Sequence, residues 1–206
     1  MVRIVKKPAV RRQEIVEAAL HLFQTQGYER TAVQDVMGHL GIAKGTIYHY
    51  FDSKEALLEA VIERVVDEDV ERLHALMTTL SGNALDKIRI LIAAGNAATN
   101  NQADLLEQLH QPANTGMHTR ILAASLNKQA PLFAALIQQG RDEGLFQTEA
   151  PLECAEFILA AVQFLTDAGI HAWTKEDLAR RRQALPSLIE AVLKAPAGSF
   201  QFLFER

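Results

Sequence analysis

Hydrogen-bond donors are concentrated in the short segment 44–50, KGTIYHY. Ammonium, hydroxyl and imidazole groups stand there around only two apolar anchors, Ile47 and the following Phe51. Donors of this kind on an exposed helical face bind the phosphate oxygens and base edges of duplex nucleic acid. A glycine within the segment would let the backbone approach DNA closely, and a lysine a few residues later could reach a phosphate. The residues that these arguments select are Lys44, Gly45, Thr46, Tyr48, His49, Tyr50 and Lys54.

The tyrosines of this segment have a second interpretation. Tyr48 and Tyr50 could be partly core residues, and this applies more to Tyr50. Against that interpretation, a purely structural helix of this length seldom carries three aromatic rings, a lysine and a threonine. We therefore predict a binding role for the segment and leave the burial of the two tyrosines open.

Short helices must position these donors. Segment 11–26 has helical periodicity and ends at Gly27, and a second helix opens at Thr31, where Gln34 completes a Thr-x-x-Gln capping box. Gly41 ends this second helix, and the donor-rich segment follows as a third. Two short helices at a tight glycine-containing turn predict a helix-turn-helix, in which the first braces against the DNA backbone and the second lies in the major groove.

Charge is distributed unevenly along the chain. The net charge is −4, yet residues 1–54 contain eight Lys and Arg against five Asp and Glu, so the acidic excess lies in the remainder. A basic arm suits phosphate or a minor groove, which supports DNA as the partner of the amino-terminal part. The basic residues of this arm fall within the first twelve positions, with no acid among them: Arg3, Lys6, Lys7, Arg11 and Arg12.

The rest of the chain also has helical periodicity, and no segment shows a convincing strand pattern. A long fourth helix is predicted from Asp52 or Ser53 to about residue 80, and Asn83 can cap the next helix. A shorter helix is predicted at 103–110. Together these patterns predict an all-α protein.

Prolines are expected to kink or split two later helices. Segment 118–139 contains Pro131, and segment 176–194 contains Pro186 and starts from the cap residue Thr174. A proline inside a helix donates no amide bond, and its ring clashes with the preceding turn.

Two helices near the carboxyl end carry extensive apolar surface. Segment 152–168 is apolar most of the way round, and segment 176–194 presents a second apolar face. Isologous dimers bury such self-complementary patches. The alternative is that both faces pack on the core of their own chain. We expect a homodimer through 152–168 and 176–194, because two linked half-sites give far more DNA affinity than one short reading helix.

Length and composition are consistent with an intracellular protein of two parts. The 206 residues are 49% hydrophobic, which is enough for a full core, and the single Cys154 cannot form an intrachain disulfide. The amino-terminal residues lack the apolar run of a signal peptide, and no stretch is long enough for a membrane span. We predict a cytoplasmic protein with a helix-turn-helix domain at 1–52 and a helical domain at 53–206 that contains the dimerisation helices.

Residues 22–57 resemble the DNA-binding domain of the TetR family of transcriptional regulators. Members of this family share the pattern LF-x-x-x-G-Y-x-x-T, which LFQTQGYERT matches at 22–31. The resemblance holds at many fixed spacings over these residues. The downstream family positions that this chain keeps in register are Gly41, Gly45, Ile47, Tyr48, Tyr50, Phe51, Lys54 and Leu57.

The resemblance implies that Thr31 joins the DNA-contact residues already selected. Most of these contacts would be to phosphate, with residues 44–46 nearest the bases. Ala43 stands where members often have serine, so a side-chain cap or phosphate contact is missing there. Asp35–Val36 stands where they often have alanine. The run GRDEGLF at 140–146, followed by an apolar helix, is similar to the lead-in to the family's dimerisation helix.

By the same likeness, residues 53–206 are a helical ligand-binding and dimerisation domain, in which the helices between 53 and 170 would enclose a cavity for a small molecule. The protein is then expected to be a repressor that binds a palindromic operator and is released by a small organic effector, whose identity the sequence does not give. Candidates for the cavity are polar or aromatic residues on apolar segments, each of which has ordinary packing or surface exposure as its alternative role. These are Asn100, His110, Met117, His118, Phe133, Phe164, Asp167, His171 and Trp173.

Neither a metal site nor a catalytic site is predicted. The seven histidines include no His-x-x-x-His pair, and His110, His118, His171 and Cys154 are scattered along the chain. No Gly-x-Ser-x-Gly motif occurs, and the acids are distributed over solvent faces. We therefore expect no cofactor and no enzyme activity.

Two other features of the body lead to simpler expectations. The run Arg180–Arg182 reads as a solvated face paired with Glu176 or Asp177. The apolar tail 200–204 is expected to pack on the body or on a partner. A helical binding protein whose head has lost DNA affinity is the rival hypothesis. The basic arm argues against it, together with Lys44, Tyr48 and Lys54.

Overall fold

A computed structural model describes residues 7–101, 107–167 and 169–204 of the chain, with the backbone alone at 98–101 and 204. Within these ranges the protein is helical and contains no strand, which confirms the predicted fold class. No helix among the described residues is both long and apolar enough to cross a bilayer. The helices are α1 (Pro8–Gln26), α2 (Val33–Leu40), α3 (Lys44–Tyr48), α4 (Lys54–Thr79), α5 (Ala84–Asn101), α6 (Thr115–Asp142), α7 (Pro151–Thr166) and α8 (Lys175–Leu193), with 3-10 turns at Pro112–Asn114 and Gln201–Phe204.

The described residues form two compact units. The first contains residues 7–65 and 107–121, and the second contains the rest. The first unit is therefore larger than the head predicted at 1–52. Leu57, Leu58 and Val61 explain part of the difference, because the start of α4 buries these side chains almost completely. The core of the first unit is drawn mainly from α1 to α4: Ile15, Val16, Ala19, Leu22, Phe23, Val33, Val36, Ile47, Phe51, Leu57, Leu58 and Val61.

The start of α2 differs from the predicted capping box. Ala32 is the N-cap residue, and its amide donates to the carboxylate of Asp35 at 2.7 Å. Thr31 lies one residue earlier, and its hydroxyl donates to the carbonyl oxygen of Gly27 at 2.8 Å. The prediction that Thr31 and Gln34 form the box is therefore wrong by one position, because the threonine hydroxyl closes the loop after α1 instead.

A left-handed glycine makes the turn between α2 and α3. Gly41 has a φ of 63°, and its amide donates to the carbonyl oxygens of Gly38 and Met37. The next amide, that of Ile42, donates to the carbonyl of Met37 at 3.1 Å. These bonds pair carbonyls at the end of α2 and allow α3 to begin only a few residues later. The predicted helix-turn-helix is present.

Three helix starts have the caps that the sequence predicts. The amide of Ala56 donates to the Ser53 hydroxyl at 3.0 Å, at the start of α4. Asn83 accepts from the amide of Asp86 before α5, and Thr174 accepts from Asp177 before α8, each at 3.0 Å. These local side-chain bonds satisfy amides that a helix leaves unpaired.

The two internal prolines do not divide their helices. Pro131 lies inside α6 and Pro186 inside α8, and both helices continue past the proline. The expectation that a proline splits its helix is therefore wrong, and the kink that was the other expectation stays a prediction. A proline removes one amide bond, and burial around it, with Ala130 and Pro186 itself buried, can hold the neighbouring turns together. Helix α6 also begins at Thr115 rather than at 118.

The second unit is built around Phe146. A Cβ placed on Gly140 would lie 2.4 Å from the Phe146 ring, so only glycine allows this close packing. The tail packs on the same core, since Phe200 stacks on Phe146 with ring centroids 6.1 Å apart and its amide donates to the buried Glu190 carboxylate at 3.0 Å. The expected packing of the tail on the body is confirmed. The buried core residues are Leu73, Ala84, Ile88, Leu91, Ala130, Leu136, Ile137, Phe146, Ala155, Ile189, Leu193, Phe200 and Phe202.

Candidate functional site

Helix α3 separates its apolar anchors from its hydrogen-bond donors. Ile47 is fully buried and Phe51 is 5% exposed, so the helix is fixed to the first unit by these two side chains. Lys44 and Gly45 are exposed, and Thr46 is partly exposed. The amino-terminal turn of α3 therefore presents its polar groups to solvent, as the sequence predicts.

The structure distinguishes the two tyrosines. Tyr48 is 36% exposed, and the Lys44 ammonium lies 5.5 Å from the centre of its ring. Tyr50 is half-buried and packs edge-on against the exposed His49 ring, with centroids 5.0 Å apart. Tyr48 is thus a surface residue, whereas Tyr50 has the partly buried position that the alternative interpretation allowed.

Gly45 has open space where a side chain would begin. A Cβ built on this residue meets no atom within 4 Å among the described residues. Steric demand inside the unit therefore does not explain why the position is a glycine. The open space leaves room for an external backbone to approach closely at this residue.

Thr31 is inside the first unit and not on its surface. Its side chain is 1% exposed, and the hydroxyl is within bonding distance of the carbonyls of Gly27 and Leu22. A hydroxyl in this environment cannot touch DNA without leaving the core. The contact that the family resemblance implied for Thr31 is therefore not compatible with this position, and its role is to close the turn after α1.

Lys54 is held by the same turn. Its ammonium donates to the Glu29 carbonyl at 3.3 Å and lies 4.2 Å from the centre of the Tyr28 ring. Burial raises the pKa of the Tyr28 hydroxyl, and the nearby Glu55 carboxylate raises it further, so the ring stays neutral under the cation. Lys54 thus stabilises the turn while two of its three N–H donors remain for a phosphate.

Segment 107–114 braces this turn. The Tyr28 amide donates to the Asn114 side-chain oxygen at 2.6 Å, and the Glu29 amide donates to the Ala113 carbonyl at 3.1 Å. Asn114 is 1% exposed, and its side-chain amide donates to the Gln108 carbonyl at 2.9 Å. The sequence did not single out Asn114, because nothing in its local pattern distinguishes a buried asparagine from one in an exposed loop.

The basic arm is only partly described. Arg3 and Lys6 lie outside the described residues, and Lys7 is exposed. Arg11 pairs with Glu14 at 3.0 Å, and the Arg12 guanidinium lies over the Phe51 ring at 5.2 Å. Arg11 and Arg12 are therefore residues of α1 with partners in the first unit.

The predicted ligand residues fall into both units. In the first unit, Met117 is fully buried, and His118 is 3% exposed with its ring stacked on that of His110 at a centroid distance of 4.9 Å. The expectation that His110 and His118 are scattered is wrong, because α6 and the segment before it bring the rings together. The side chain of Asn100 lies outside the described residues.

In the second unit, the predicted ligand residues have different surroundings. Phe133 is partly buried against the core around Phe146, which is ordinary packing. The Asp167 carboxylate accepts from the amides of Gly169 and Ile170 at 2.8 and 2.9 Å and so shapes the loop after α7.

Phe164, His171 and Trp173 do come together, as a chain of ring contacts. The centroid of Phe164 is 4.8 Å from that of His171, which is 4.4 Å from that of Trp173. The guanidinium carbon of Arg181 lies 3.5 Å from the centre of the Trp173 ring. Arg181 was predicted to belong to a solvated face, and this is wrong, although the predicted pairing with Asp177 is present at 3.7 Å.

These features define a helix-turn-helix head and a helical body, and the comparisons with known proteins agree. Residues 15–61 match the family model for bacterial regulatory proteins of the TetR family, and residues 97–187 match the model for the tetracycline repressor-like carboxyl-terminal domain. The chain belongs to the TetR family. It is a helix-turn-helix transcriptional regulator and not an enzyme.

Relatives and solved structures support the same assignment. The chain is 29% identical to the uncharacterised regulator YfiR of Bacillus subtilis, over 72% of this chain and 75% of that protein. It is 33% identical to the transcriptional repressor KstR2 of Mycolicibacterium smegmatis, over 43% of this chain and 42% of the relative. The fold is similar to that of SmeT in its triclosan complex, with a TM-score of 0.63 and 21% identity over 93% of this chain and 94% of SmeT.

Proposed function

We propose that this protein is a ligand-responsive repressor, which binds a palindromic operator as a homodimer and is released by a small organic effector. Because its target would be chromosomal DNA in a bacterial cell, we place it in the cytoplasm. The observation that carries the DNA-binding part is the polarity of α3, in which Ile47 is fully buried while Lys44, Gly45 and Tyr48 face solvent.

The proposed DNA-contact residues follow from exposure. Residues 44–46 would lie nearest the bases, and the surrounding hydroxyl, imidazole and ammonium groups would bind phosphates. Thr31 is left out because it is buried. The contact set is then Lys44, Gly45, Thr46, Tyr48, His49, Tyr50 and Lys54.

The proposed homodimer rests on apolar side chains that the second unit leaves exposed. Helices α7 and α8 pack together, with Ile158 and Leu159 against the core, while other apolar side chains of the same helices face outward. Exposed apolar surface of this kind is characteristic of an interface, and a second copy can cover it by two-fold symmetry. The exposed fractions are 42% for Leu152, 63% for Phe157, 40% for Leu165 and 57% for Leu188.

The proposed repressor activity and effector response rest on likeness to known proteins. KstR2 is named a repressor, and SmeT has been solved in complex with the small molecule triclosan. Within the second unit, the cluster of Phe164, His171 and Trp173 offers aromatic surface of the kind that binds small organic molecules.

DNA binding at several salt concentrations tests the proposal. Each phosphate contact steepens the fall of log affinity with log salt by about 0.9, so a head with several basic contacts should give a steep slope. Fluorescence anisotropy with a labelled duplex that carries the operator, against a scrambled duplex, measures this slope. Absence of duplex binding even at low ionic strength would overturn the proposal.

Single substitutions separate base reading from phosphate binding. Lys44→Ala or Thr46→Ala should change the order of preference among operator variants, whereas Lys54→Ala should weaken all duplexes to a similar degree and reduce the salt slope by about one unit. Equal loss on every operator variant in all three proteins would remove the base-reading role from residues 44–46.

A further inference from the structure

A cluster of aromatic and nitrogen-bearing side chains lies where α7 is followed by α8. The His171 ring lies between those of Phe164 and Trp173, and the guanidinium carbon of Arg181 lies 3.5 Å from the centre of the Trp173 ring. The side chain of Arg181 is 16% exposed, whereas that of the neighbouring Arg180 is 70% exposed. Arg181 is therefore part of the cluster and its neighbour is not.

Three nitrogens of this cluster are buried without a hydrogen-bond partner among the described residues. They are Nε2 of His171, Nε1 of Trp173 and Nη1 of Arg181. The Asp177 carboxylate is 3.7 Å from Nη1, which is close enough for an ion pair and too long for a hydrogen bond. A buried nitrogen without a hydrogen-bond partner destabilises the folded state, so three at one place call for an explanation.

The chemistry of these atoms specifies what would satisfy them. The nitrogens of tryptophan and arginine only donate, and the histidine nitrogen can donate as well. One group with two acceptor oxygens and a negative charge would pair with the arginine and still reach a second donor. A carboxylate meets this requirement, and the surrounding rings would cover the apolar part of the molecule that carries it.

We propose that His171, Trp173 and Arg181 form a carboxylate-binding site, and that the effector is a small organic acid. This inference rests on the proposed effector response and adds the chemical class of the effector. A small molecule fits better than the surface of a partner protein, because the three nitrogen atoms are themselves shielded from solvent and a broad protein surface would not reach them. Phe164, half-exposed against His171, is the side chain that would move to admit the acid.

Benzoate provides the probe, and benzamide provides a control of the same shape without charge. Trp173 is the only tryptophan of the chain, so its fluorescence reports directly on the site. A fragment of this size is expected to bind with a Kd of about 1 mM, and the amide at least about tenfold more weakly. A saturable change in Trp173 emission with benzoate, confirmed by calorimetry on the full-length protein, would support the site.

Two neighbouring arginines supply matched variants. Arg181→Gln should weaken benzoate binding by at least about tenfold, whereas Arg180→Gln should leave it within about twofold of the unmodified protein. Trp173→Phe keeps an aromatic ring and removes the indole donor, so calorimetry should show weaker benzoate binding even if Arg181→Gln perturbs folding. Circular dichroism on all three variants checks that the helices are retained.

Several outcomes would overturn the inference. They are no saturable benzoate response, equal responses to benzoate and benzamide, or equal losses in the two arginine variants. A carboxylate of the partner subunit that already fills the site would also leave benzoate without effect. Operator binding, measured in the same preparations without any acid, tests the proposed function separately, so intact DNA binding with a failed benzoate response contradicts this inference alone.

Discussion

Gly45 is the residue at which protein stability and the proposed DNA contact can be tested separately. Its backbone lies in α3, and a Cβ added there meets open space. A side chain at this position would therefore extend toward whatever binds the exposed face of α3. Lys54 is different, since it contacts both the Glu29 carbonyl and the Tyr28 ring and so contributes to the fold as well.

Gly45→Ala should leave the protein at least as stable as before and weaken operator binding by at least about tenfold. Alanine favours a helix over glycine by about 0.5–1 kcal/mol, while the added methyl group would hold the DNA backbone away. Thermal unfolding and anisotropy with labelled operator measure the two effects.

Gly38→Ala is the matched control. Gly38 is also an exposed helical glycine with open space at the Cβ position, but it lies in α2. The substitution should stabilise the protein to a similar degree and change operator affinity by less than about threefold. Operator affinity that is unchanged in Gly45→Ala would argue against close approach of DNA to this residue.

Among the elements, the turn between α1 and α2 depends on a segment that is distant in sequence. The buried Asn114 bonds both to the Tyr28 amide and to the Gln108 carbonyl, and so holds the turn from outside the helix-turn-helix. This contact explains why residues 107–121 belong to the first compact unit.

Asn114→Ala should lower the free energy of unfolding by about 1–3 kcal/mol, because it leaves buried backbone groups without partners. Urea unfolding followed by circular dichroism measures the loss. Thr115→Ala, at the adjacent exposed residue, should change stability by no more than about 0.5 kcal/mol. Equal effects of the two substitutions would show that the Asn114 bonds do not hold the turn.

The first turn of α5 is stabilised by the carboxylate of Glu143, the residue that follows α6. The Ala84 amide donates a hydrogen bond to the Glu143 carboxylate at 2.9 Å. This bond is the main reason why the pKa of the Glu143 carboxyl lies below its ordinary value of 4.5, and a second hydrogen bond, from the Gln139 side chain, lowers the pKa further. A carboxyl whose pKa is lower in the folded protein than in the unfolded chain stabilises the fold at pH values above the pKa of the unfolded chain. This stability is lost as the pH falls through the pKa of the folded protein.

Glu143→Gln should therefore be less stable than the unmodified protein at neutral pH, and the difference should shrink as the pH falls below 4.5. Glu143→Ala, which also loses the acceptor oxygen, should remain less stable than Glu143→Gln at every pH. Urea unfolding at a series of pH values checks both expectations. A difference between the glutamine variant and the unmodified protein that does not depend on pH would contradict a role for the charge.

At the scale of the whole molecule, the proposed function requires that two copies associate through α7 and α8. Leu188 and Phe157 are largely exposed although both are apolar. In the proposed dimer these side chains are buried, and two reading heads are linked so that each raises the effective concentration of the other at its half-site.

Leu188→Glu should convert the dimer to a monomer and weaken binding to a palindromic duplex by about a hundredfold or more, because the linkage of half-sites is lost. Sedimentation equilibrium measures the oligomeric state, and anisotropy measures the affinity. Ile90→Glu changes a 40% exposed apolar side chain on α5 and should affect neither. A Leu188→Glu protein that remains dimeric would place the interface elsewhere.

The sequence by itself determined the helical class, the helix-turn-helix and most of the caps. These features depend on contacts within a few residues, as at Ser53, Asn83 and Thr174, and local contacts can be read from spacing. The exposure of Lys44 and the burial of Ile47 follow for the same reason, since both belong to one short amphipathic helix.

Only the tertiary structure decided which polar side chains turn inward. Thr31 and Asn114 are buried, and Arg181 lies on Trp173 although its neighbour Arg180 faces solvent. The apolar faces of α7 and α8 likewise divide between core contact and exposure. Such outcomes depend on residues far apart in the chain, because burial is set by what packs against a side chain and not by its own type.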